Sequence, residues 1–130
     1  MPIERAFSGA PWEGRVGYCR AVRRGRDVAV SGTAPVGADG AVVAPGDGYA
    51  QAARCLEIVR AALGELGASL TDVVRTRMFV TDIARWEEFG RAHREAFGAH
   101  PPATTMVQVG ALIDPAMLIE IEADAILPAE

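Results

Sequence analysis

The sequence predicts an α+β layer: one mixed β-sheet with two helices packed on one of its faces. Three observations predict it. Two segments carry apolar residues at helical spacing, the segments between and around them alternate or read as extended, and the order is strands, helix, strand, helix, strands. Sequential strands interrupted by single helices suit a layer in which helices cross one face of the sheet, and 130 residues suit one domain spanning residues 1–130.

The first predicted strands are residues 20–23 and 27–31, a hairpin turning at Gly25. The first helix is predicted over residues 47–66. Tyr49, Ala53, Leu56, Val59, Leu63 and Leu66 form its apolar stripe, Asp47 is its N-cap and Gly67 its stop. Residues 73–80 alternate as a strand. Val74, Thr76, Met78 and Val80 face one way, and Val73, Arg75, Arg77 and Phe79 the other. This strand lies between two helices, so a parallel pairing reached by a helical crossover is expected.

The second helix is predicted over residues 83–97, capped by Asp82 and ended by Gly98, with Trp86, Phe89, His93 and Phe97 on one face. Residues 104–109 and 118–126 complete the sheet. In the last strand Ile119, Ile121, Ala123 and Ala125 alternate with Glu120, Glu122 and Asp124. The resulting row of acids could meet Arg75 and Arg77 across a contact between copies, because helices on one side leave the other face of the sheet to solvent or a partner.

Composition narrows the function classes. A net charge of −4 gives no support for binding a phosphate backbone, which needs clustered cations. Arg20, Arg23, Arg24 and Arg26 read as a solvated hairpin tip. Cys19 and Cys55 fit no zinc or CxxC spacing, and His93 and His100 alone make no metal site, so no metal is expected. No apolar run reaches membrane-spanning length and no secretory segment is evident. The expectation is therefore a cytoplasmic protein with free thiols that engages neither membrane nor nucleic acid.

Several motifs are more specific in combination. They are Gly17-Tyr18, Val30-Ser31-Gly32, Gln51, Leu66-Gly67, Asp72-Val73-Val74 and Val80-Thr81-Asp82. Further along the chain come Pro101-Pro102-Ala103-Thr104-Thr105-Met106-Val107-Gln108-Val109, Leu112 and Ile119-Glu120-Ile121-Glu122-Ala123. In this order and spacing they resemble the Rid family of reactive-intermediate deaminases (YjgF-type), over nearly the whole chain. The resemblance implies a chorismate-mutase-like fold. It also implies a homotrimer with a central barrel and three clefts between subunits. Active relatives hydrolyse enamines or imines there to a carbonyl compound and ammonia, without a cofactor.

The resemblance also implies site residues. Tyr18 matches the tyrosine over the ligand, Ser31 and Gly32 the strand-end pair that meets it, and Glu120 the glutamate that holds the attacking water. Trp86 matches an aromatic near the cleft mouth. Thr104, Thr105 and Met106 lie on the strand that contacts ligand. Two of these depart from the pattern: Thr104 stands where the family has its arginine, and Met106 where some relatives have a cysteine.

A threonine hydroxyl cannot replace the bidentate guanidinium fork on a carboxylate. Arg77 is the candidate replacement cation. The alternatives stay open: Arg77 pairing with Glu120 or Glu122, Glu120 lining a barrel, and Tyr18, Ser31 and Trp86 serving only as packing. The reading is thus a binder of a small polar metabolite, acting as an imine or enamine hydrolase with altered substrate. A non-catalytic ligand-binding trimer is the alternative. A ribonuclease is disfavoured by the acidic charge and the lack of a paired histidine site.

Overall fold

The computed structural model describes residues 2–129. Six strands form one sheet: β1 (Ile3–Ala6), β2 (Ala21–Arg24), β3 (Asp27–Thr33), β4 (Val73–Val80), β5 (Ala103–Gln108) and β6 (Ile119–Ile126). Three helices accompany them: α1 (Pro11–Val16), α2 (Gly48–Glu65) and α3 (Trp86–Phe97). The strand order is β1-β2-β3-β6-β4-β5. Only β4 and β5 pair in parallel, joined by α3 as the predicted crossover; the other pairings are antiparallel.

Local chemistry explains the elements. Gly25 takes the left-handed conformation (φ +62°) between β2 and β3, as a tight hairpin requires. The Asp47 side chain accepts from the Ala50 N–H at 3.0 Å and starts α2. Asp82 accepts from the Ala84 N–H, but it caps a 3-10 turn over Ile83–Arg85, and α3 begins only at Trp86. Strand β1 and helix α1 were not predicted. One is four residues long and the other six, too short to show a period, although Pro11 is a recognisable first-turn residue.

The core lies between the sheet and α2 and α3. Val59, Leu63, Phe89, Val80, Ile119 and Ile121 are fully buried there, each side chain contributing about 1.5–3 kcal/mol. Cys55 is buried on α2, and both cysteines are free. His93 is engaged within the fold: its Nε2 lies 2.8 Å from Thr76 Oγ1, and its ring packs on Phe97 at 4.7 Å.

Three details differ from expectation. The β4–β6 register shifts between Val73 and Arg75, so Val73 turns into the core and Val74 out, the reverse of a regular alternation. Trp86, counted on the apolar face of α3, is 56% exposed because it sits at the first position of the helix, past the core. Arg77 meets its acids within the chain: Nη1 lies 3.2 Å from Glu122 and 3.1 Å from Asp124. That row therefore has a partner inside the sheet itself.

Candidate active site

The chain folds a cleft at the end of the sheet where β3 and β6 meet the segment running from β1 through α1 to β2. Its inner chamber, about 30 Å³, is lined by Ser8, Ala10, Trp12, Tyr18, Arg20, Gly32, Thr33, Ala34, Val36, Ile58 and Glu120. Five of these residues, Ser8, Ala10, Trp12, Val36 and Ile58, also line an outer bowl of about 250 Å³ that adds Gly37, Ala38 and Arg54. The two are joined through these shared residues into one depression, narrower at Glu120 and wider at Arg54.

Glu120 enters the chamber from β6, between Ile119 and Ile121, which face the core. Its Oε1 lies so near Gly32 that a Cβ there would stand 2.7 Å from it. Glycine thus lets the carboxylate lie against the backbone. Burial raises the Glu120 pKa; Arg20 opposes the rise and Glu122 adds to it. A carboxyl group so placed can both hold and release a proton nearer neutrality than a free glutamate.

Tyr18 follows the left-handed Gly17 that ends α1, and the same turn carries Arg20 inward. Arg20 is 4% exposed. Its Nε faces Glu13 at 3.4 Å, and its Nη1 donates to the Gly32 carbonyl and to Thr33 Oγ1. Its Nη2 lies 3.4 Å from the Tyr18 hydroxyl, with the guanidinium 5.4 Å from the Tyr18 ring centre. Glu13, 4% exposed, accepts in turn from the Ser8 N–H and hydroxyl. Arg20 is therefore no part of a solvated hairpin tip. Its neighbours Arg23 and Arg26 do stay near the turn and bond backbone carbonyls.

Of the residues singled out from the sequence, Tyr18, Gly32 and Glu120 line the inner chamber together. Ser31 borders it but does not line it: its hydroxyl donates to the Cys19 carbonyl at 2.7 Å, fixing the turn between Tyr18 and Arg20. Thr104, Thr105 and Met106 stand on β5, separated from β6 by β4, a distance of about 9–10 Å. Thr104 Oγ1 accepts from Thr76, and Met106 packs on the core. Trp86 stands elsewhere, in an open hollow on α3 with Glu87, Glu88, Gly90, Arg91 and Arg94. Arg77 does not reach the cleft.

Sequence reasoning missed Trp12, Glu13 and Arg20. Pro11 before Trp12 was an available signal for a helix start. Nothing local marks the burial of Arg20: apart from Tyr18, its partners lie seven, twelve and thirteen positions away. Among the described residues no cluster of His, Cys, Asp and Glu is arranged to hold a metal ion.

Comparison with known proteins identifies relatives of this fold. Residues 10–127 match the family model described as Endoribonuclease L-PSP. A Mycobacterium tuberculosis protein, solved as a member of the highly conserved YjgF/YER057c/UK114 family, is 48% identical. It superposes with a TM-score of 0.88 over 97% of this chain and 100% of its own. A Thermotoga maritima structure is 31% identical, with a TM-score of 0.83 over 96% and 93% of the two chains. The 3-aminoacrylate deaminase RutC of Acinetobacter baylyi is 36% identical over 80% of this chain and 82% of its own.

Proposed function

This chain belongs to the Endoribonuclease L-PSP family, that of the YjgF and RutC proteins, and from that premise we propose that it hydrolyses an enamine or imine to a carbonyl compound and ammonia. The observation that carries the reading is Glu120: a half-buried carboxyl with a raised pKa, lying against Gly32 and sharing a chamber with Tyr18. The activity named for the RutC relative is of this class.

The chemistry needs little else. An enamine takes a proton at carbon from solvent and loses one from nitrogen to solvent, becoming the imine. Glu120, as carboxylate, removes a proton from a water whose oxygen bonds to the imine carbon. The same carboxyl gives that proton to the nitrogen, making a carbinolamine; it then takes the carbinolamine hydroxyl proton and passes it to the nitrogen, so the C–N bond breaks as the carbonyl forms and ammonia leaves. Tyr18 supplies a wall over the reacting carbon, and the β3 backbone at Gly32 fixes its position. No metal or organic cofactor enters these steps.

The cleft is open toward solvent, and the sheet face opposite the helices carries Arg77, Glu122 and Asp124 partly exposed. We place two further copies against that face, giving a homotrimer whose neighbouring subunit closes each cleft. In that assembly Thr104, Thr105, Met106 and Trp86 of one copy could meet a ligand in another's cleft.

One observation favours a second reading, a trimer that binds its ligand without turnover. Thr104, at the position of the family arginine, is engaged by Thr76. The two readings separate on ammonia release from enzymatically generated imines. Hydrolysis above the buffer rate, lost in Glu120→Ala, supports the enzyme. Tight binding with no release at any imine tested supports the binder.

A further inference from the structure

We infer that Arg20 is a positioning residue of the cleft: its guanidinium fixes the Tyr18 hydroxyl and the Gly32 peptide against which Glu120 lies, and it is the positive charge that Glu120 faces. The inference rests on the cleft being the reaction site and deepens that reading by naming what holds its parts together. Glu120 leans on backbone, with Oε1 so placed that a Cβ on Gly32 would stand 2.7 Å from it. The place of the carboxyl therefore depends on the place of the Gly32 peptide. The ladder between β3 and β6 does not fix that peptide, because the register shifts between Val30 and Thr33 and Gly32 lies inside the shift. Arg20 takes over there. Its Nη1 donates to the Gly32 carbonyl and, at 3.1 Å, to Thr33 Oγ1.

Arg20 is itself held on every side. Its backbone N–H donates to the Ala6 carbonyl, and its carbonyl accepts from the Ser31 N–H. The side chain thus leaves from a point tied to both β1 and β3. Its Nε faces Glu13, which Ser8 fixes in turn, and its Nη2 meets the Tyr18 hydroxyl at 3.4 Å. One planar fork meets four acceptors at once. A lysine, with three donors on one atom, cannot span that set.

The same residue sets the charge around Glu120. Among the residues lining the chamber, Arg20 and Glu120 are the charged ones, and Tyr18 is the other titratable group. Outside the chamber Glu120 has Glu122 on its own strand and Phe79 opposite it on β4. On α2 it has Cys55, whose thiol burial keeps neutral. Arg20 is thus the cation that offsets the cost of a carboxylate at this depth, while burial and Glu122 work against it.

The test uses the intact protein and two variants, Arg20→Lys and the double variant Arg20→Gln/Glu13→Gln. The first keeps the charge and its pairing with Glu13 but loses the fork. The second removes both buried charges together, so neither is left unpaired. Circular dichroism confirms folding. The Glu120 carboxyl is titrated by carbon-13 NMR in glutamate-labelled protein, its signal identified by its loss in Glu120→Gln. The double variant should raise the Glu120 titration by about one pH unit, since a neighbouring cation is gone, and Arg20→Lys should leave it within about half a unit of wild type. In imine hydrolysis Arg20→Lys should lower kcat about tenfold or more and change KM by less than about threefold, because the reacting groups are misplaced while the charge remains.

An unchanged Glu120 titration in the folded double variant overturns the inference, and so does a wild-type kcat in Arg20→Lys. The titration needs no substrate, so it decides the inference even where wild type hydrolyses no imine. A raised titration with no wild-type turnover leaves the inference standing and removes the hydrolase reading. Wild-type turnover with an unmoved titration does the opposite.

Discussion

Gly32 and Glu120 are packed so tightly that residue 32 has no room for a side chain: a Cβ would meet Oε1 at 2.7 Å and Cδ at 3.0 Å. The backbone at Gly32 is not in a conformation reserved for glycine, so the contact alone excludes larger residues. Gly32→Ala should therefore displace the Glu120 carboxyl, which is the far end of a flexible chain, with less than about 1 kcal/mol lost in stability. Hydrolysis should fall about tenfold or more, since misplacing a reacting group by about 1 Å costs that much. Chemical denaturation and ammonia release on the same preparation check both halves.

The raised pKa of Glu120 gives stability a pH signature. Its folded-state value lies above its unfolded value, so the native state binds the proton more tightly. Stability from this group is fully present below the unfolded value, about 4.3, and is lost as pH rises through the folded value. Glu120→Gln removes the loss. The variant should melt higher than wild type at neutral pH, and the difference should shrink to nothing toward pH 4. Melting curves across that range test the sign.

Much of the fold was legible because its signals are periodic. Alternation gave β6 to within a residue, and the helical stripe of Leu56, Val59 and Leu63 gave α2. Val73 and Val74 were exchanged because a register shift is decided by pairing with β6, which one strand's sequence does not contain. In the cleft, Tyr18, Gly32 and Glu120 were found through motifs. Arg20 was not, because its burial is made by Glu13 and Thr33, which flank it at spacings no periodicity links.

Arg77 illustrates the converse. It was a candidate for the cleft cation, yet it bridges Glu122 and Asp124 with 41% of its side chain exposed. At that exposure the pairs are screened. Arg77→Ala should cost no more than about 1 kcal/mol in a single copy, and less at high salt. A denaturant titration at low and high ionic strength measures it. A larger and concentration-dependent loss would mean that this face is also a contact between copies.

Thr76 is fully buried and bonds both His93 and Thr104. Thr76→Val keeps the shape and removes both bonds. It should destabilise the protein by about 1–3 kcal/mol, because the half-buried His93 ring loses its partner. Burial already lowers the His93 pKa, so wild type should lose stability as pH falls from the ordinary histidine value through the depressed one. Urea unfolding at pH 7 and pH 5 tests this.

The most direct measurement of the central claim is the pH-rate profile of imine decay, followed by absorbance after rapid mixing, for wild type and Glu120→Gln. Wild type should exceed the buffer rate and titrate with an apparent pKa above that of an ordinary glutamate, while Glu120→Gln stays at the buffer rate at every pH. Decay in the variant that matches wild type, or a wild-type rate no faster than buffer, would contradict it.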